Sequence, residues 1–169
     1  LVDGDSTTYN PPTTFGIDGD WYTIDLAVPV PAERFGFYTP SQGFRGDGRL
    51  LREDVVPAFE VSIAAEGDPS WLESGTYRPL GALVADVQEN FDADVKIDFP
   101  RQYVRYVRYR RKLSVQDRNL TVIRTSGGVA STGTIGDFEL FGEGVPRRAI
   151  YVTRIFNLAG EVNFGRIFW

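Results

Sequence analysis

The chain has 169 residues, 18 Lys and Arg against 23 Asp and Glu for a formal charge of −5, 42% hydrophobic and 14% aromatic residues, and neither cysteine nor histidine. This composition excludes a disordered polar chain, because there is apolar surface enough for a packed core, and it argues against a nucleic-acid binder, whose affinity rests on neutralising phosphates. It also removes disulfides, thiolate catalysis and zinc–sulfur sites, together with the commonest general base and the commonest transition-metal ligand.

The opening stretch Leu1 to Tyr9 gathers Asp3, Asp5, Ser6, Thr7 and Thr8 around Gly4. Loops collect oxygen ligands for a hard cation in this way, and a carboxylate from a distant strand would close the cage. The alternative reading of Asp3-Gly4-Asp5 is a solvated turn. A turn-rich segment with Pro11, Pro12, Gly16 and Gly19 follows, then Trp21 to Leu26, where Trp21, Thr23 and Asp25 alternate with Tyr22, Ile24 and Leu26 as in a half-buried strand. Trp21 is expected in the core. Pro29 and Pro31 are expected to end this strand, and Glu33 to Tyr38 to begin another with Phe35 and Phe37 on one face. Thr39 to Asp54, with Gly43, Gly46 and Gly48, is expected to be a long exposed loop.

Ala58 to Ile63 is a clear strand, and the turn after it delivers Trp71. Leu83 to Val87 fits either a strand or one helical turn, while Asp94 to Phe99 alternates as a strand. Tyr103 to Tyr109 is the most regular strand, expected to place Val104 and Tyr106 on one side and Arg105 and Val107 on the other. Leu120 to Arg124 continues the series. The strand in Ile135 to Gly144 is expected to turn Phe138 and Leu140 inward and Asp137, Glu139 and Phe141 outward. Short alternating strands without an amphipathic helix predict an all-β sandwich or jelly roll. Val145 to Arg148 reads as a linker, and 149–156 and 163–169 as the opening strands of a second β domain. No apolar run reaches the length that would span a bilayer.

Five pieces in this order resemble the discoidin, or coagulation-factor type C, family: Leu1 to Thr8, Trp21 to Leu26, Phe59 to Ile63 with Trp71, Tyr103 to Arg108, and Ile135 to Gly142. They cover about residues 1–144. The resemblance implies a galactose-binding-like jelly-roll β-sandwich lacking its first strands, so that the chain is expected to be part of a longer polypeptide. The absent terminal cysteine pair is similar to bacterial carbohydrate-binding members. By that resemblance a structural calcium ion would be held by the Val2 carbonyl, Asp3, Asp5, Thr8 and a carboxylate of the last strand, where Asp137 matches the acidic position and Glu139 is the alternative.

Sugar-binding members of that family use aromatic and polar groups at one loop end. Tyr9, Asn10, Phe15, Phe44, Arg45 and Trp71 are the corresponding candidates here, against core or rim packing for each. The basic run Arg101, Arg105, Arg108, Arg110, Arg111 and Lys112 reads either as an anion-binding strip or as the outer face of a strand paired with neighbouring carboxylates. Asp92 and Asp94 read as surface acids, and no nucleophile elbow, phosphate loop or metal-hydrolase motif is present. The expectation is a non-catalytic, calcium-stabilised module that binds carbohydrate or a surface glycan, extracellular or at a cell surface. The rival is a structural β-sandwich domain that contacts neighbouring copies in an extracellular assembly.

Overall fold

The structure is a computed structural model that describes residues 21–44, 48, 50–67, 77–112, 124–125, 128–129 and 133–144. Within them lie seven strands: β1 (Trp21–Tyr38), β2 (Ala58–Ala64), β3 (Ala82–Val87), β4 (Asp94–Lys112), β5 (Arg124–Thr125), β6 (Gly128–Val129) and β7 (Asp137–Phe141). A 3-10 turn covers Leu51–Glu53, and no α-helix occurs among the described residues. Five strands form one sheet in the order β3-β2-β4-β1-β7, with every pairing antiparallel, and β5 and β6 form a separate two-stranded sheet.

Two strands are far longer than the sequence pattern indicates. Pro29 and Pro31, expected to end the first strand, do not: β1 runs through both, and β4 likewise runs through Pro100. Pro29 and Pro100 stand where the ladder is interrupted, and Pro31 lies in the short paired stretch between the two interruptions. Asp25 pairs with Tyr106 and Val30 with Val104, so four residues of β1 oppose one of β4, and a second shift lies between Ala32 and Arg34. A residue in a bulge gives up its ladder hydrogen bond, so proline costs little there. Ala27, at φ 65°, takes the left-handed conformation the bulge requires. Asp25 pins the corner, because its Oδ1 accepts the Ala27 N–H at 2.8 Å and its carboxylate takes a two-pronged hydrogen bond from Arg105 at 2.9 and 3.1 Å.

At these irregularities the sheet doubles over into a sandwich. Phe37, in the second half of β1, meets Phe59 of β2 edge-on at 5.0 Å and Tyr109 of β4 at 5.3 Å. Phe138 of β7 lies 5.7 Å from Phe35, 5.3 Å from Tyr109 and 6.2 Å from Tyr22. One layer is therefore β3, β2 and the first half of β1 with the second half of β4, and the other is the remaining halves with β7. Phe35, Phe37, Phe59, Val61, Ile63, Val107, Tyr109 and Phe138 fill the space between them. Burial pushes the Tyr109 hydroxyl well above the ordinary phenol value.

Alternation places most side chains as expected. Phe35 and Phe37 are buried together, Tyr22, Ile24 and Leu26 pack against the core, and Phe138 and Leu140 turn inward while Phe141 is exposed. Residues 82–87, open between strand and helical turn in sequence, are strand. Two expectations fail. Val104 and Val107 both enter the core while Tyr106 lies outside that cluster, because alternation slips beside the bulge. Trp21 shares the outward face with Thr23 and stays partly exposed, its ring 4.4 Å from the Arg108 guanidinium carbon. Its odd position in β1 commits it to that face, and Arg108 supplies a cation–π partner there. The segment expected as an open loop is also anchored, since Leu51 and Asp54 are buried.

Candidate functional site

The fold brings the segment after β1, the link from the 3-10 turn to β2, the β3–β4 connection and the approach to β7 to one end. Thr39 N–H donates to the Ala93 carbonyl at 2.7 Å, Asn90 N–H to that of Pro57 at 2.7 Å, and Gly136 N–H to that of Tyr38 at 2.8 Å. Two phenylalanines project from this end into solvent, Phe44 with 66% of its surface exposed and Phe91 with 75%. Neither stands on loose chain. Leu51 N–H donates to the Gly43 carbonyl, Phe44 bridges to Leu50, and buried Leu51 roots the loop. The turn carrying Phe91 is closed by Asn90, whose Nδ2 donates to the carbonyls of Val56 and Asp92 while its Oδ1 accepts from the Asp92 N–H. Exposed apolar rings on fixed backbone are suited to binding, because less chain entropy is lost when a ligand settles on them.

Phe44 is one of the residues singled out in sequence. Tyr9, Asn10, Phe15, Arg45 and Trp71 lie outside the described residues. Phe91 was not singled out, although a lone aromatic between Asn90 and Asp92 in a turn is the signal that would have found it.

Of the proposed calcium ligands, Asp137 and Glu139 are described, and Val2, Asp3, Asp5 and Thr8 lie outside the described residues. Asp137 opposes Tyr38 across the ladder and Glu139 opposes Gly36, so both leave β7 on the face away from Phe138. Asp137 is buried and its Oδ1 accepts the Phe138 N–H at 2.8 Å. Among the described residues no three Asp, Glu, His or Cys side chains converge as a metal would need.

The basic run is largely consumed by structure. Arg105 pairs with Asp25, Arg110 approaches Glu60 at 3.8 Å and lies 4.3 Å over the Tyr77 ring, and Lys112 pairs with Asp86. Arg108 is buried, donating to Thr23 Oγ1 at 2.8 Å and to the Arg78 carbonyl at 2.9 Å, and burial pulls its guanidinium below the ordinary arginine value. The reading of this run as paired with neighbouring carboxylates therefore holds at Arg105, Arg110 and Lys112 and fails at Arg108, which is buried on a hydroxyl and a carbonyl. Of the two surface acids, Asp94 forms an exposed ion pair with Lys96 at 2.8 Å.

On the outer surface of the second layer is a shallow cavity of about 330 Å³ lined by Glu33, Arg34, Asp98, Phe99 and Phe141. The shift between Ala32 and Arg34 turns Glu33 and Arg34 outward in succession. Arg34 Nε donates to Asp98 Oδ1 at 2.5 Å, and this hydrogen bond holds the Asp98 carboxyl below its ordinary value.

This architecture is a β-sandwich whose fold is shared with solved carbohydrate-binding modules. Chitosan-binding module 1 of a Paenibacillus sp. IK-5 chitosanase/glucanase superposes with a TM-score of 0.54 at 15% identity, over 83% of this chain and 80% of that one. CpGH89CBM32-5 from Clostridium perfringens, in complex with GalNAc-β-1,3-galactose, gives 0.51 at 11% identity, over 83% and 79%. A Ruminococcus gnavus GH29 fucosidase in complex with fucose gives 0.54 at 12% identity, over 85% of this chain but 22% of the fucosidase. No family model and no curated protein matches the sequence.

Proposed function

We propose that this chain is a non-catalytic carbohydrate-binding module whose ligand docks at the loop end, on Phe44 and Phe91. The observation that carries this reading is the pair of exposed phenylalanines on hydrogen-bonded loops at one end of the sandwich. Aromatic faces carry partial negative charge and attract the polarised C–H groups of a sugar ring. The likeness in fold to a chitosan-binding module and to a module in complex with GalNAc-β-1,3-galactose supports the same reading. Tyr9, Asn10, Phe15, Arg45 and Trp71 remain the proposed partners of Phe44 in sugar binding. The module works outside the cell or at its surface, as residues 1–144 of the chain, with 145–169 beginning a second β domain.

Calcium belongs to the same proposal. An all-oxygen set from Val2, Asp3, Asp5, Thr8 and Asp137 or Glu139 suits a hard cation, and the ion's part is to hold the opening loop against β7. In that case chelation lowers the melting temperature of the wild type and leaves Asp3→Ala unchanged.

The test is binding to a broad glycan and polysaccharide panel in calcium and again with chelator, for wild type and for Phe44→Ala/Phe91→Ala. Saturable binding to one sugar class, weakened in the double variant while the melting temperature holds, supports the reading. A blank panel from folded protein overturns it in favour of a structural domain. One observation favours that second reading: β3 is an edge strand among the described residues and carries exposed Leu83, a feature that pairs with other chains when left open.

A further inference from the structure

We propose that the outer face of β1, β4 and β7 carries a second saccharide site, built on Phe141, Arg34, Asp98 and Glu33, that takes a pyranose ring bearing no acidic group. It lies on the sheet surface, apart from the loop end, and goes beyond the reading given for that end.

Gly36 sits in the interior of β1, paired with Lys96 on one side and Glu139 on the other. Its φ is not positive, so the backbone does not require glycine there. Glycine inside a strand loses stability relative to a residue with a side chain, and often marks a place where something approaches closely. The tight neighbour is the Val95 carbonyl oxygen, 3.2 Å from where a Cβ at Gly36 would lie, and Phe141 Cε2 is at an ordinary contact distance of 3.6 Å. The phenylalanine ring thus rests against the sheet over Gly36, while 41% of that residue stays exposed. An aromatic ring held against a β-surface with one side open is a platform for the C–H face of a sugar.

The polar groups stand beside that ring. The Arg34–Asp98 pair uses one guanidinium N–H and one carboxylate oxygen, and the two side chains are 45% and 71% exposed. The Nη groups of Arg34 and Oδ2 of Asp98 then offer donors and an acceptor side by side, which matches the donor-and-acceptor character of vicinal hydroxyls. Glu33 adds a further acceptor. Two carboxylates against one guanidinium leave the cavity negative, so a uronate would be repelled and a neutral or amino sugar would not. A volume of about 330 Å³ is at the small end of ligand sites and fits a single ring with its neighbours outside.

The experiment is backbone amide NMR of the isotope-labelled chain, titrated with β-linked hexamers of glucose, N-acetylglucosamine, glucosamine and galacturonic acid. Saturable shifts at 33–36, 96–99 and 139–142 with one of the first three and none with galacturonate are expected. Phe141→Ala should weaken that binding by about tenfold, Phe141→Trp should retain it, and Phe44→Ala should leave those shifts in place. Shifts confined to residues 39–44 and 88–93 overturn this inference and leave the loop-end reading standing. Shifts confined to the sheet face overturn the loop-end reading alone. Equal response to galacturonate overturns the charge selection, and with it the proposed role of Glu33 and Asp98. An absence of shifts with every hexamer overturns the sheet-face site, while the glycan panel decides the loop end separately.

Discussion

The Thr134 hydroxyl donates to Asp54 Oδ2 at 2.7 Å, joining two positions 80 residues apart. Gly133 N–H donates to Oδ1 of the same carboxylate at 3.1 Å, and Thr134 N–H donates to the Asp54 carbonyl at 2.9 Å. The approach to β7 is thereby fastened to the residue that closes the 3-10 turn below Phe44. Gly133 has φ 123°, and a Cβ there would lie 2.6 Å from the Val56 Cα, so the chain passes Val56 too closely for any side chain.

Asp54→Ala should cost about 2–4 kcal/mol in urea unfolding, because it strands the Gly133 N–H and the Thr134 hydroxyl in a buried place. Asp54→Asn keeps an acceptor for one donor and should cost less than the alanine variant. Equal stability of Asp54→Ala and wild type would mean the clasp does not form.

Phe138 and Phe141 lie three residues apart on β7 and face opposite ways. Phe138→Ala should cost about 3–5 kcal/mol, since it empties a volume shared by Tyr22, Phe35, Phe37 and Tyr109. Phe141→Ala removes a partly exposed ring and should cost about 1 kcal/mol, well below the Phe138 figure. Comparable losses in the two variants would show that the face assignment of β7 is wrong.

What could be foreseen from the sequence followed from the two-residue period. Phe35, Phe37, Phe138 and Leu140 are placed inward because alternation along a strand with one buried face leaves no other choice. The Arg105–Asp25 and Lys112–Asp86 pairs follow from a basic strand in an acidic chain. The corner at Pro29, Pro31 and Pro100 was not legible, because proline signals a broken ladder and only the partner strand shows whether the strand ends or bends. Trp21 was misplaced because aromatic character was weighed above its odd position in β1, and Phe91 was missed because a lone aromatic in a turn was not weighed at all. The Asp54–Thr134 clasp and the cavity at Arg34 depend on register between segments far apart, which local pattern does not carry. Of the loop-end candidates, Phe44 is the one among the described residues, and it is exposed.

Gly142 tests the corner directly. It passes so near β1 that a Cβ would clash with the Pro31 carbonyl oxygen and lie 2.7 Å from the Ala32 Cα. Both partners are backbone of a strand locked to β4 through Pro31–Tyr103 and Ala32–Gln102, so neither can yield cheaply. Gly142→Ala should lower stability by about 2 kcal/mol or more. Gly48→Ala serves as control: nothing lies within 4 Å of its Cβ, so it bears only the strain of φ 85°. Equal losses in the two variants would place the cost in backbone conformation and remove the close approach as its cause.

The Asp25–Arg105 pair should make the corner sensitive to acid. The hydrogen bond from Arg105 holds the Asp25 carboxyl below its ordinary value, outweighing partial burial, which pushes the other way. A carboxyl depressed in the folded state contributes stability that is fully present above its unfolded pKa of about 3.9 and is lost as pH falls through the folded value. Asp25→Asn should therefore be less stable than wild type by about 1 kcal/mol near neutrality, a modest figure because both side chains are partly exposed to water. The gap should stay level above about pH 5 and close as pH falls below about 4. Urea midpoints of the two proteins between pH 7 and pH 2 would show it, and a gap that does not narrow over that range would mean that the charge of Asp25 is not its cause.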